Sequence, residues 1–377
     1  MLRGAYGRDG RREKQKSDRV NGNTAAISIE TDAETKGLND MLKNWYTESG
    51  KDNDVVVSSR VRLARNLAAY PFPDCMTEEQ EKEVKDILTK IYADWEVTDM
   101  ATLSAADKAS LAERDFISPE FARAAHPGLL FSHDNTYIMA LEEDHVRIQS
   151  VYAGLALEEA YQAAAEADTL LDDGAEIAFN EDYGYLTHCP TNLGTGMRAS
   201  VMVFLPAYTR AGLIRRLQMQ LEKIGLTVRG MAGEGSGADG YLYQISNQVT
   251  LGITEEETIR KLQAVVEQLI AQERDLRTRN AEEHDSREVL RDKARRSLGI
   301  CRYATRLSAE ELYSLYSNLR LGASLGLLDT ITPQKVDEML FCCLPGVVTA
   351  ASSCKTVGEQ NAARAKTACE ILSTEEK

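Results

Sequence analysis

The sequence predicts a chain of mixed α and β structure, α/β or α+β over its first two thirds, followed by helices alone. Three observations carry this reading. Short apolar segments of strand length alternate with helical stripes as far as Ile245, every apolar pattern from Thr254 onward has helical spacing, and 377 residues are enough for two or three hydrophobic cores.

The first forty residues are polar and basic at the start (Arg3, Arg8, Arg11, Arg12, Lys14, Lys16, Arg19). They read as a disordered tail, 1–40, without the apolar segment of a secretory signal. Order is expected from Met41, where Leu42, Trp45 and Val55, Val56 and Val57 bring in apolar positions. Thr77 and Gln80 have capping-box spacing ahead of a stripe made by Val84, Ile87, Leu88, Ile91, Tyr92 and Trp95. Strand signals follow at 136–141, 146–151, 199–205, 226–231 and 241–245, interrupted by an alanine-rich helix over 155–171 and a second helix over 207–224 that stops at Gly225. Thr254 and Glu257 open a helix with the stripe Ile259, Leu262, Val266, Leu269 and Ile270. Its charged continuation to Arg296 reads as a long solvated helix or linker. Ser308 with Glu311 caps a further stripe (Leu312, Leu315, Tyr316, Leu319), and Thr332-Pro333 starts another helix. The expected division is a tail over 1–40, a catalytic domain over 41–275 and a helical domain over 276–377.

Composition narrows the function classes. Hydrophobic residues make up 43% and charged residues 27%, and no apolar run approaches the roughly 18 to 20 residues of a membrane span, so no membrane partner is expected. A net charge of −15 argues against direct nucleic-acid binding, so any anion site must be a local concentration of basic residues. Seven cysteines, with no Cys-x-x-Cys pair and with Cys342 beside Cys343, fit neither a disulfide framework nor a zinc site. A reducing cytoplasm is expected. His133, His145 and His188 lack metal-ligand spacing and are read as structural, and no protein-bound metal is assigned.

Arginines supply the local concentration. Arg60 and Arg62 alternate in Ser58-Ser59-Arg60-Val61-Arg62 and share a strand face, whereas Arg65 is off that register and is read as structural. Arg147, Arg198 and Arg229 each lie in or beside a predicted strand. Guanidinium forks stay charged and match phosphate oxygens two at a time, so five of them converging would hold a triphosphate. Neither a phosphate loop of the Gly-x-x-x-x-Gly-Lys type nor the protein-kinase signature set is present. Glu143 lies beside the Arg147 strand, and Glu234 sits among glycines in Gly233-Glu234-Gly235-Ser236-Gly237; two such carboxylates facing a guanidinium would orient it and accept its proton. Cys189 is either an inert buried thiol or, among arginines, a thiolate able to pair with a cation.

These residues carry a resemblance to the phosphagen (guanidino) kinase superfamily, through Ser58-Ser59-Arg60-Val61-Arg62, Glu142-Glu143-Asp144-His145-Val146-Arg147, the run from Cys189 to Arg198, and Arg229-Gly230. The chain resembles the bacterial protein arginine kinase branch more closely still, from about Met41 to its C-terminus. The resemblance implies an α+β catalytic domain, an antiparallel sheet flanked by helices, followed by an all-helical domain used for dimerisation. It implies that Ser58, Ser59, Arg60, Val61, Arg62, Arg147, Arg198, Ala199, Ser200, Val201, Met202, Arg229, Gly230, Met231, Ala232, Gly233 and Glu234 bind ATP with Mg2+. Glu143 and Glu234 would hold the substrate guanidinium, with Glu143 as base, and Cys189 would orient it. Implied partners are proteins with exposed arginines, an activator protein, a Clp-type protease acting in stress response and quality control, and a second copy of the chain.

Two departures from the branch stand out. Asp115, in Glu113-Arg114-Asp115-Phe116-Ile117-Ser118-Pro119, occupies a position where the branch commonly has a histidine associated with ATP. The C-terminal Arg-Asp-x-x-Arg-Ala motif that senses phosphoarginine reads Gln360-Asn361-Ala362-Ala363-Arg364-Ala365, keeping only Arg364 and Ala365 of an implied allosteric site, so weak or absent feedback is expected. Two competing readings remain: a free-arginine phosphagen kinase, disfavoured by the short segment before Ser58, and a regulatory phosphoarginine- or partner-binding protein, disfavoured by Glu143, Cys189, Arg198 and Glu234.

Overall fold

A computed structural model describes residues 42–230, 239–282 and 284–373; the predicted tail over 1–40 lies outside them. The framework is an eight-stranded sheet with spatial order β2-β3-β4-β5-β1-β8-β10-β9. Its strands are β1 (Val56–Arg65), β2 (Glu96–Asp99), β3 (Leu129–His133), β4 (Thr136–Ala140), β5 (Val146–Ala153), β8 (Met197–Phe204), β9 (Leu226–Gly230) and β10 (Leu242–Asn247). Every neighbouring pair is antiparallel. The antiparallel ladder decides between the two classes left open by periodicity, in favour of α+β. A two-stranded ribbon, β6 (Phe179–Asn180) and β7 (Gly184–Tyr185), stands apart.

One sheet face is dry. Val61 and Leu63 of β1, Ile148 of β5, Ala199 and Val201 of β8 and Ile245 of β10 share a core with helices α1 (Glu78–Ile91), α4 (Leu157–Gly174) and α7 (Glu255–Glu282). Helix α4 turns Leu157, Ala160, Ala164, Ala167 and Leu171 inward. This i, i+3, i+4, i+7 stripe of small residues lets its backbone approach the strands closely. Helix α1 begins with the reciprocal capping box expected of Thr77 and Gln80, and Thr254 and Glu257 exchange the same pair of hydrogen bonds before α7.

The single helix predicted over 207–224 is instead two, α5 (Pro206–Arg210) and α6 (Ile214–Glu222). Gly212 between them has φ +68°, a left-handed conformation that stops the first helix while Leu213 N donates back to the Tyr208 carbonyl. The charged stretch after Ile270 is not uniformly solvated either. Glu273 is fully buried, accepts from the Ala207 and Tyr208 amides at the start of α5, and pairs with buried Arg277 at 2.7 Å. Helix dipole and ion pair together explain why a carboxylate is tolerated there.

The later helices are α8 (His284–Tyr303), α9 (Ala309–Ser324), α10 (Pro333–Cys342), α11 (Pro345–Ser352) and α12 (Val357–Ser373). Ser308 caps α9 and Thr332-Pro333 starts α10, as their spacing predicts. Buried Arg320 of α9 pairs with Asp337 of α10 at 2.7 Å and donates to the Asn53 and Asp54 carbonyls in the turn before β1. Trp45 packs edge-on against Phe341 of α10, with centroids 4.7 Å apart. Among the described residues no helix is long and apolar enough to cross a membrane.

Candidate active site

Strand register places the arginines. In antiparallel sheets, directly paired residues point to the same face. Arg62 pairs with Arg198 of β8 and with Gln149 of β5, and Arg60 pairs with Ser200 and Val151. Arg147 pairs with Ala64, and Arg229 lies opposite Gln244, which itself faces Met202. Arg60, Arg62, Arg147, Arg198 and Arg229 therefore all stand on the face opposite the helix-covered core. Arg65, one position out of step, points the other way. It is 1% exposed, paired with Asp168 of α4 at 2.7 Å and Glu255 of α7 at 3.3 Å, with its guanidinium 3.5 Å over the Tyr185 ring. Its structural reading holds.

The same register divides the expected nucleotide residues. Ser58, Ser200 and Met202 share the arginine face, whereas Ser59, Val61, Ala199 and Val201 are buried on the core side. Ser59 shows why: its hydroxyl donates to the Gly154 carbonyl and accepts from the Ala156 amide, tying β1 to the start of α4. Gly230 ends β9. Met231, Ala232, Gly233 and Glu234 lie outside the described residues.

Arg62, Arg147 and Arg198 line one cavity of about 200 Å3 with Glu143, Cys189, Thr191, Asn192 and Gly196. Each cation has a different support. Arg147 is gripped by Glu142 at 2.6 Å and Glu143 at 3.2 Å. Arg198 Nε donates to Asn192 Oδ1 and its Nη2 to Thr191 Oγ1, both at 3.2 Å. Arg60 pairs with Asp115 at 2.7 Å. Arg62 has a buried Nε with no hydrogen-bond partner among the described residues, and burial, with Arg60, Arg147 and Arg198 around it, presses its affinity for a proton well below the ordinary range. An arginine does not release that proton in a protein, so the pressure is an unmet demand for an anion. Arg198 is shifted the same way, by burial first, with Arg229 and Arg147 adding to it.

The carboxylates and the thiol are set by local structure. Asp144, fully buried, accepts from Asn66 Nδ2 and the His188 amide, and the His145 amide donates to Asn66 Oδ1. Leu67 N donates to His145 Nδ1 and the His145 Nε2–H points at the Pro71 carbonyl, which identifies the ring as structural and neutral. These bonds lock the turn that presents Glu143, whose Oε1 lies 3.9 Å from His188 Nδ1. Cys189 Sγ sits 3.1 Å from Thr191 Oγ1 at the start of the turn to β8. Gly196 closes that turn with φ +63°, and a Cβ there would press on the Ala64 carbonyl and the Arg65 guanidinium.

The sequence reading did not single out Glu142, Thr191 or Asn192 as supports. The Glu142 side chain is 4% exposed and its carboxyl is pushed up by that burial, while Arg147 and the Ser118 hydroxyl draw it down. A carboxylate five residues before an arginine on the same hairpin was the available signal. Among the described residues no group of three or more His, Cys, Asp or Glu is placed to hold a metal ion.

Comparison with known proteins decides the family. The model of the ATP:guanido phosphotransferase C-terminal catalytic domain matches residues 76–276, and that of the protein-arginine kinase McsB C-terminal domain matches 287–377. The chain belongs to the ATP:guanido phosphotransferase family. It is similar to the protein-arginine kinase of Halothermothrix orenii, 40% identical over 315 residues covering 82% of this chain and 90% of that one. The corresponding protein of Bacillus mycoides is 38% identical over 320 residues. Among solved structures, the duplicated taurocyamine kinase of Schistosoma mansoni shares the fold at a TM-score of 0.53 and 24% identity, covering 66% of this chain and 39% of that one. A lombricine kinase does so at 0.52 and 23%, covering 66% and 78%. This ATP:guanido phosphotransferase is thus an enzyme of the protein-arginine kinase branch, with the antiparallel sheet of phosphagen kinases.

At the other end of the chain, Arg364 is 1% exposed. Its Nε donates to the Cys343 carbonyl and its Nη1 to the Leu307 carbonyl and Asn361 Oδ1, while Ala365 is buried beside it.

Proposed function

We propose that this ATP:guanido phosphotransferase transfers the γ-phosphoryl group of ATP to arginine side chains of proteins, with the arginine face as the nucleotide site. The observation that carries the reading is Arg62: a guanidinium with a buried Nε that has no partner among the described residues, opposite Arg198 and sharing a cavity with Glu143 and Cys189. A polyphosphate supplies what those cations lack. Mg2+ would come with the nucleotide and supply charge neutralisation at the phosphates, since three of the four charged side chains lining the cavity are arginines and Glu143 alone is a carboxylate.

Glu143 takes a proton from the substrate guanidinium, freeing a nitrogen lone pair. That nitrogen attacks the γ-phosphorus as the bond to the bridging oxygen breaks and ADP leaves. Arg60, Arg62, Arg147, Arg198 and Arg229 hold the phosphates in line and neutralise the charge of a loose transition state, the main catalytic demand of phosphoryl transfer. Glu234 holds the other edge of the guanidinium, and Cys189 acts through position and charge, without a covalent intermediate.

The finer parts of the reading rest on the resemblance already described. Residues 41–275 form the catalytic domain and 276–377 the dimerisation domain of a cytoplasmic enzyme, and phosphoarginine marks proteins for a Clp-type protease in stress response. Incubation with Mg-ATP and an arginine-rich unfolded protein, followed by mass spectrometry for acid-labile phosphoarginine, tests the transfer. Signal from the wild type and none from Glu143→Gln is the expected result; no signal from either, despite nucleotide binding, rejects it in favour of a regulatory protein.

A further inference from the structure

Asp115 stands at the arginine face in a way that phosphate positioning does not require. It follows α2 (Ala105–Glu113), and its φ of +60° is unusual for any residue but glycine. Its backbone is pinned on both sides. Its amide donates to the Ala112 carbonyl, and its carbonyl accepts from Gln149 Nε2 at 2.6 Å, Gln149 itself being paired with Arg62 in the sheet. From this fixed root the carboxylate reaches Arg60 Nη1 at 2.7 Å.

The supports of the neighbouring arginines sharpen the contrast. Arg147 is held by two carboxylates and Arg198 by two neutral side chains, whereas Arg60 is met at one point by a one-oxygen contact. The pair remains open to solvent, with the Arg60 and Asp115 side chains 14% and 25% exposed. A single, partly solvated contact can be exchanged for another anion at modest cost.

We propose that Asp115 is an internal counter-anion for Arg60, which a nucleotide phosphate must displace, so that this one residue lowers the affinity of the site for nucleotide. This rests on the arginine face being the nucleotide site. With no ligand bound, Asp115 neutralises one cation of the row; with a phosphate bound, its charge lies beside the incoming anion and weakens the complex. Asp115 does not touch the transferred atoms in this scheme. It sets how much nucleotide is needed.

The test is the dissociation constant of Mg-ADP, measured by titration calorimetry on the full chain. Asp115→Asn is expected to bind about tenfold more tightly than wild type, the effect of removing one partly screened unit charge, and the KM for Mg-ATP should fall by a similar factor with no rise in kcat. Asp115→Ser should act alike if the Asn variant fails to fold. In an Arg60→Ala background the gain should be smaller, since the part of the coupling that runs through that guanidinium is lost. Unchanged or weaker Mg-ADP binding in the folded Asp115 variants overturns the proposal. Arg62→Ala separates the two levels: if it binds Mg-ADP as well as wild type does, the nucleotide assignment itself fails, whereas lost binding there with no gain at Asp115 rejects only the counter-anion.

Discussion

Arg62 and Arg198 face each other directly across the β1–β8 ladder. Like charges in that position oppose folding. Thr191 and Asn192 give Arg198 neutral partners, and Arg62 Nε has none among the described residues. The site keeps an electrostatic cost in the empty protein that a polyanion converts into binding.

Arg62→Ala should therefore change the stability of the ligand-free protein by less than about 1 kcal/mol while weakening nucleotide binding about 10- to 100-fold, the worth of one or two charge-assisted hydrogen bonds. Thermal melts with and without Mg-ADP check both halves. The ligand-free midpoint should stay in place or rise, and most of the nucleotide-induced increase should be lost.

Arg65→Ala should do the reverse. Removing this 1% exposed cation leaves Asp168 and Glu255 facing each other and unties the Thr195 carbonyl, in the turn before β8, from the end of β1. Breaking a buried pair in this way costs about 3–5 kcal/mol. Urea unfolding should show that loss, and the nucleotide affinity of the fraction still folded should change little.

His145 predicts an acid limb in the stability profile. Burial holds its imidazole below the ordinary value of 6.5. Between that lowered value and 6.5 the unfolded chain binds a proton that the native ring refuses, so stability falls as pH drops through this window and rises as pH increases through it. Protonation would also cost the hydrogen bond from Leu67 N to Nδ1. Urea midpoints measured from pH 5 to 7 should show a shallower slope for His145→Gln than for wild type, at lower overall stability.

Free phosphoarginine should not change the transfer rate. The Arg364 guanidinium is committed to two backbone carbonyls and Asn361, and the positions equivalent to the motif's first arginine and aspartate are Gln360 and Asn361. Arg364→Met should lower the melting temperature and leave the response to millimolar phosphoarginine as flat as in wild type. A rate increase that disappears in this variant would show a working allosteric site instead.

Local patterns and resemblance made much of this molecule legible. Capping boxes at Thr77 and Thr254, the cap at Ser308, the Thr332-Pro333 start and the alanine stripe of α4 depend on neighbours three or four residues away, and the chain states them directly. The alternation of Arg60 and Arg62, with Arg65 out of step, also follows from the two-residue period of a strand. Less visible were β2, with its largely exposed Glu96–Asp99 edge, and β3, whose apolar run Leu129-Leu130-Phe131 has no alternation to mark it as a strand. The break at Gly212 inside an otherwise continuous helical stripe was hidden too.

Only tertiary structure decided how distant charges pair. That Asp115 meets Arg60 across fifty-five positions, that Arg65 reaches Asp168 and Glu255, and that Arg364 is consumed by carbonyls are consequences of strand register and helix docking. The sequence by itself determined which residues share a strand face and where helices begin, because those relations are periodic and local. Which of the arginines would be answered by a carboxylate, and which would be left for a ligand, depended on segments brought together from far along the chain.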